Sequence, residues 1–241
     1  MRVPGRIGQE IFRRHGDHAR EVVEVDTGVH VMMVLQMAAR LNASLPVRWA
    51  CLVHDLGKGT TPADVLPRHI GHEQRGAKLV RQVGERWRVP KECSELAELV
   101  AAEHGNIHRS LDLSPAAVLR LLQRCDALRK PERFAQALWA CECDARGRWG
   151  FEAAAYPQRG RLAQALAVAL GVATGPIAAQ AVAAGKQGAA IGQAVDAVRV
   201  QALAATLNKP PRWRAPGRGA FDAHAPEAQK TCDVPRAAAE R

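Results

Sequence analysis

Aromatic residues are scarce in this chain, at 4% of 241 residues, although hydrophobic residues make up 47%. Alanine, valine and leucine must therefore fill the core, a composition that favours helices. No alternating apolar–polar run marks a strand, and no internal repeat is visible. No apolar run reaches the roughly 18 residues that a transmembrane helix needs. The opening stretch MRVPGRIGQEIFRRHGDHAR lacks the apolar segment of a secretory signal, so no membrane partner is expected. There is no glycine-rich Walker loop, and no carboxylate pair in a strand context for two-metal nucleotidyl transfer. Six cysteines (Cys51, Cys93, Cys125, Cys141, Cys143 and Cys232) show no framework spacing. They read as reduced core thiols of a cytoplasmic protein. Cys141 and Cys143 flank Glu142, which as a metal site is incomplete.

What is present is positive charge and a set of histidines and aspartates at helical spacing. The net charge of +10 points to phosphate-bearing partners, nucleic acid first. An arginine-rich composition also raises charge without any binding role, so charge alone does not decide. The length suits one substantial domain. Residues 1–23 are basic and irregular and are expected to be poorly ordered. Residues 24–207 read as one helical domain. Residues 208–241, with Arg212, Arg214 and Arg218, read as a disordered basic tail.

Within the helical region the expected class is all-α. His30, Val34, Met37 and Leu41 share one helix face. Pro46 opens a second helix with Val47, Ala50, Cys51 and His54 on one side, ended by Gly57 and Gly59. Thr61-Pro62-Ala63-Asp64 has the form of a helix start. Residues 72–87 align His72, Gly76, Leu79 and Val83, and the helix after Pro90 aligns Cys93, Ala97, Val100 and His104. Ser114-Pro115 caps a helix in which Asp126 continues the stripe of Leu119 and Leu122. A further helix runs from about Pro131 to Asp144. DARGRWGF then breaks the pattern, and residues 158–170 and 176–206 are helical again.

An imidazole or carboxylate aimed into a helical core is costly without a compensating charge. His30, His54-Asp55 and Asp126 come from three such helices, which can converge on one divalent ion. Adjacent His54 and Asp55 cannot both point down one ideal helix face. At a frayed C-terminal turn before Gly57, however, both can reach the same ion. His72 and His104 also face inward. They either complete a second metal site bridged by Asp55 or bind substrate phosphate. His69 and His108 lie in expected loops and are weaker candidates, and His15, His18 and His224 are expected to be solvated. Nitrogen and oxygen ligands without thiolate suit a hydrolytic metal. Such an ion would activate water and neutralise a phosphoryl oxygen. Asp55, or a nearby histidine, could orient the attacking water, and Lys58 and Arg68 could neutralise the phosphate. Lys58 also suits an ordinary helix C-terminal cation.

The order His30, His54-Asp55, Asp126 resembles the HD superfamily of metal-dependent phosphohydrolases. DTGVHVMM, HDLGKGTTP, LPRHIGHE, LVAAEHGNIH, RKPER, DARGRWGFE and YPQ are more specifically similar to the C-terminal HD domain of bacterial CCA-adding enzymes, the tRNA nucleotidyltransferases. The resemblance implies an HD helical bundle with additional C-terminal helices. It implies His30, His54, Asp55 and Asp126 as ligands of a divalent metal (nickel, magnesium, manganese or iron). It also implies hydrolysis of 2′,3′-cyclic phosphates, 2′-nucleotides or phosphomonoesters, tied to upkeep of tRNA 3′ ends. tRNA or nucleotide phosphate, not DNA, is the implied substrate. The arginines of Asp144-Ala145-Arg146-Gly147-Arg148 would contact phosphate or fix the turn.

In that family the HD domain follows a polymerase half. Only about 25 residues precede the resemblance here, and they carry none of that half's motifs. The chain is therefore not expected to add CCA alone. A non-catalytic module that binds tRNA, or one that pairs with a separate nucleotidyltransferase subunit, is the alternative. Hydrolysis of a signalling nucleotide is a third reading.

Overall fold

The computed structural model describes residues 27–207. The expected N-terminal stretch and basic tail, with His15, His18, His224, Arg212, Arg214, Arg218 and Cys232, lie outside the described residues. The described residues are all-α, with no strand among them. The helices are α1 (Thr27–Arg40), α2 (Leu45–Val53), α3 (His72–Arg86), α4 (Lys91–His108), α5 (Pro115–Arg124), α6 (Pro131–Arg146), α7 (Pro157–Gly171), α8 (Thr174–Ala183) and α9 (Ala189–Thr206). 3-10 turns at Leu56–Thr60 and Arg109–Asp112 follow α2 and α4.

Proline stands in the first turn of α2, α5, α6 and α7, where its fixed φ suits the helix and its missing N–H costs nothing. Ser114 adds a side-chain cap to α5, its hydroxyl accepting from the Ala117 N–H at 3.3 Å. Helix α4 lies at the centre and packs on α2, α3 and α6, while α1 packs on α2 and α6. Helix α9 joins α5, α7 and α8. Val34, Val47, Leu96, Val100, Leu121 and Leu138 are sealed in this core, and Phe134 is its largest fully buried side chain.

Some expected helices differ from the structure. Thr61-Pro62-Ala63-Asp64 does not start a helix, and the chain runs through successive turns until α3 begins at His72. Pro67 lies too close downstream for a helix to propagate. The expected helix over 176–206 is two helices, because the chain turns through Gly185 and Gly188, both at positive φ. Among the described residues, Cys51, Cys93, Cys125, Cys141 and Cys143 are free and buried. Burial pushes the Cys125 thiol up to about 12 and holds Cys141 well above the usual thiol range, so these thiols pack rather than ligate. No single described helix is long and apolar enough to cross a membrane.

Because Phe134 fills the centre of an aromatic-poor core, Phe134→Ala is expected to cost about 3–5 kcal/mol, measured by chemical denaturation of the metal-free chain. A loss below about 1 kcal/mol would contradict this packing.

Candidate metal centre

Five helices bring six histidine and aspartate side chains to one buried place. His30 comes from α1, and His54 and Asp55 leave the end of α2. His72 opens α3, His104 lies near the end of α4, and Asp144 lies near the end of α6. Two close helix approaches make this possible, and each depends on a glycine. A side chain at Gly57 would overlap the His72 carbonyl oxygen, so only glycine lets the turn after Asp55 sit against the start of α3. A Cβ at Gly147 would lie 2.6 Å from the Val34 Cα, so only glycine lets the end of α6 close onto α1.

The ligand atoms form two triads, His30–His54–Asp144 and Asp55–His72–His104, within each of which all the atoms lie no more than 4.8 Å apart. In the first, Asp144 Oδ1 is 2.9 Å from His30 Nε2 and 3.7 Å from His54 Nε2. In the second, Asp55 Oδ1 is 3.6 Å from both His72 Nε2 and His104 Nε2. Asp55 Oδ2 turns back to within 3.2 Å of His54 Nε2, so the adjacent His-Asp pair divides itself between the triads.

Three imidazoles are oriented by the backbone. His54, His72 and His104 place Nδ1 at 2.8, 2.8 and 3.0 Å from the carbonyls of Cys51, His69 and Val100. A carbonyl only accepts, so Nδ1 carries the proton, and in the neutral ring Nε2 is the bare ligand atom. Two such atoms, on His72 and His104, stand 3.3 Å apart, where facing lone pairs repel and a cation between them reconciles both. His54 Nε2 and Asp55 Oδ1 are buried without a hydrogen-bond partner. Orphaned atoms of that kind are costly unless a ligand engages them.

Electrostatics point the same way. Burial pulls the His54 pKa down, yet the Asp144 and Asp55 carboxylates outweigh it and hold it at about 9. Burial likewise opposes the charge on Asp55 and Asp144. His54 acts against it at both, joined by Lys58 at Asp55 and by His108 and His30 at Asp144, and keeps both carboxyls well below the usual range. His104 falls to about 4 through burial and the neighbouring His54, and so stays neutral. The residues present fit a divalent ion, or two, bound by imidazole and carboxylate.

The HD domain family matches residues 27–130. The chain is also 67% identical over 180 residues to the Multifunctional CCA protein of Polaromonas naphthalenivorans, covering 75% of this chain and 42% of that protein. The proteins of the same name from Acidovorax sp. and Variovorax paradoxus are 63% and 62% identical over 185 and 182 residues, covering 77% and 76% of this chain and 44% and 43% of theirs. The chain thus spans less than half the length of these relatives. No solved structure matches it.

Within the matched residues the structure brings together His30, His54, Asp55, His72 and His104, but not Asp126. Helix α5 ends at Arg124, and Asp126 follows in the left-handed conformation, φ 53°. Its carboxylate turns out to Arg129 at 2.7 and 2.8 Å and to Arg133 at 3.5 Å. The helix stops before the stripe of Leu119 and Leu122 reaches Asp126. Asp144 supplies the carboxylate instead. It lies beyond the family match and is placed by geometry alone, although it shares the inward face of α6 with Phe134, Ala137 and Cys141.

Lys58 does reach the cluster, its Nζ 2.7 Å from Asp55 Oδ2. Arg68 is exposed on the segment before α3. The guanidinium that the fold brings to the cluster is that of Arg148, 3.5 Å from Asp144 Oδ1. His69 bonds Thr61 through Nδ1 at 2.7 Å. His108 closes α4 rather than lying in a loop, and its Nε2 meets Asp144 Oδ2 at 2.7 Å. The carboxylate on an apolar stripe signalled Asp144 as well as it signalled Asp126, whereas nothing in the spacing signalled Tyr156 behind His108.

Asp144→Asn is expected to weaken divalent-metal binding by more than about 100-fold, since loss of an outer-shell partner alone costs 10–100-fold. Asp126→Asn, at a position where asparagine tolerates the left-handed backbone, is expected to leave it unchanged. Calorimetric titration of both variants checks this, and equal losses would contradict the assignment.

Proposed function

We propose that this chain is a divalent-metal-dependent phosphohydrolase of the HD family. The observation that carries the reading is the convergence of four imidazoles and two carboxylates, two of whose buried atoms have no hydrogen-bond partner. Asp55 supports a two-ion arrangement, because its two oxygens face different triads, at 3.2 Å and 3.6 Å. The imidazole-rich set favours a transition ion such as nickel or iron over magnesium, which prefers oxygen ligands.

When bound, the metal supplies a Lewis acid that activates water and draws charge from a phosphoryl oxygen. The chain's residues do the rest. Asp55 orients the attacking water, Lys58 holds Asp55 and offers its ammonium to the phosphate, and Arg148 adds a second positive charge on the Asp144 side. The proposed substrates are 2′,3′-cyclic phosphates, 2′-nucleotides or phosphomonoesters, at nucleotide or tRNA 3′ ends. The relatives' name, Multifunctional CCA protein, supports the tRNA end. The same relatives are more than twice the length of the matched stretch, which favours as second reading a module that works beside a nucleotidyltransferase partner.

With a divalent ion, the purified chain is expected to hydrolyse 2′,3′-cyclic AMP. His54→Ala and Asp55→Asn are each expected to lower turnover about 100-fold or more, the scale on which loss of one electrostatic stabiliser falls. Unchanged turnover in both variants would contradict the enzyme reading. Salt-sensitive tRNA binding with no metal-dependent turnover would favour the module.

A further inference from the structure

We propose that His108 and Tyr156 form a brace that holds Asp144 as a one-oxygen metal ligand. The inference rests on the metal-centre reading above and assigns roles to two residues that take no part in either triad. His108 closes α4 one turn after the ligand His104, with the two rings edge-on at 6.0 Å. Its Nε2 lies 2.7 Å from Asp144 Oδ2, and its Nδ1 lies 2.9 Å from the Tyr156 hydroxyl. Tyr156 immediately precedes α7, and Gln158 on that helix donates to the His108 carbonyl at 3.1 Å. The end of α4 is thereby tied to the start of α7.

With a neutral imidazole at His108 the hydrogen bonds have one consistent direction. An ionised carboxylate accepts and cannot donate, so His108 Nε2 carries the proton that points at Asp144. In the neutral ring Nδ1 is then an acceptor, and Tyr156 donates to it. Burial pushes the Tyr156 pKa well up, so its hydroxyl keeps that proton. Tyr156 fixes the tautomer and His108 fixes the carboxylate. The two oxygens of Asp144 consequently differ. Oδ2 is occupied by His108, whereas Oδ1 faces His30 at 2.9 Å and His54 at 3.7 Å, with the Arg148 guanidinium 3.5 Å away. Only Oδ1 is presented to an ion in the first triad. A carboxylate held this way has lost its rotational freedom before the metal arrives, which is how outer-shell partners raise affinity.

The test uses the full chain and nickel(II) as probe. Nickel affinity is measured by titration calorimetry, and the thermal melt of each metal-free variant confirms folding. His108→Leu is expected to weaken nickel binding about 10–100-fold. His108→Gln, whose amide places an N–H near the same position, is expected to recover most of that loss. Tyr156→Phe is expected to give a smaller loss in the parent chain. It is expected to give none in the His108→Gln background, because glutamine has no tautomer to fix.

Three results would overturn the brace: unchanged affinity in His108→Leu, no recovery in His108→Gln, or a Tyr156→Phe loss that persists beside His108→Gln. Failure of the parent chain to bind nickel, manganese(II) or iron(II) would overturn the metal-centre reading and the brace with it. Binding by the parent that is indifferent to His108 overturns the brace alone.

Discussion

Two carboxylates, Asp55 and Asp144, are buried to 4% and 3% relative exposure where five helices meet, and the surrounding structure is organised around their charge. An uncompensated buried ion costs several kcal/mol even after relaxation. Here each carboxylate is faced by imidazoles on separate helices, and Asp55 also by the ammonium of Lys58. In the chain without metal, the raised pKa of His54 lets a proton supply part of the missing positive charge. The orphaned His54 Nε2 and Asp55 Oδ1 show that the protein's own groups do not satisfy the cluster completely.

This constraint explains local features that otherwise look unrelated. Gly57 and Gly147 stand at the two helix approaches that bring in His72 and Asp144. The carbonyls of Cys51, His69 and Val100 each orient one imidazole, so the backbone chooses which nitrogen faces the centre. Around the cluster, close-packed alanine, valine and leucine on α1, α2, α4 and α6, with the single buried Phe134, set the helix spacing. Helices α7–α9 add their own packing, and Tyr156 and Gln158 at the head of α7 connect it to the centre.

The helical class and most helix starts were legible because proline, serine and apolar spacing act locally. His30, His54, Asp55, His72 and His104 could be singled out because inward-facing polar groups interrupt apolar stripes. Asp126 shows the limit of that reasoning. Periodicity continues on paper past Arg124, but the real helix ends there, and a left-handed residue sends the side chain to Arg129 and Arg133. Asp144 carried the same local signal, and choosing between the two required knowing which helix closes onto α1. Arg68 lies apart from the cluster for a related reason, since the turns between residues 61 and 71 leave it in solvent. His108 and Tyr156 are 48 residues apart, and only the packing of α7 on the end of α4 joins them.

The metal chemistry proposed for this cluster depends on where a cation sits. The most direct measurement is a crystal structure of the chain soaked in a divalent transition metal, with the ion located by anomalous scattering. The account predicts a peak bonded to His30, His54 and Asp144, with Asp55 beside it, and a second peak among Asp55, His72 and His104 when both sites fill. Strong peaks only at surface carboxylates such as Asp126, with the six-residue cluster empty, would contradict it.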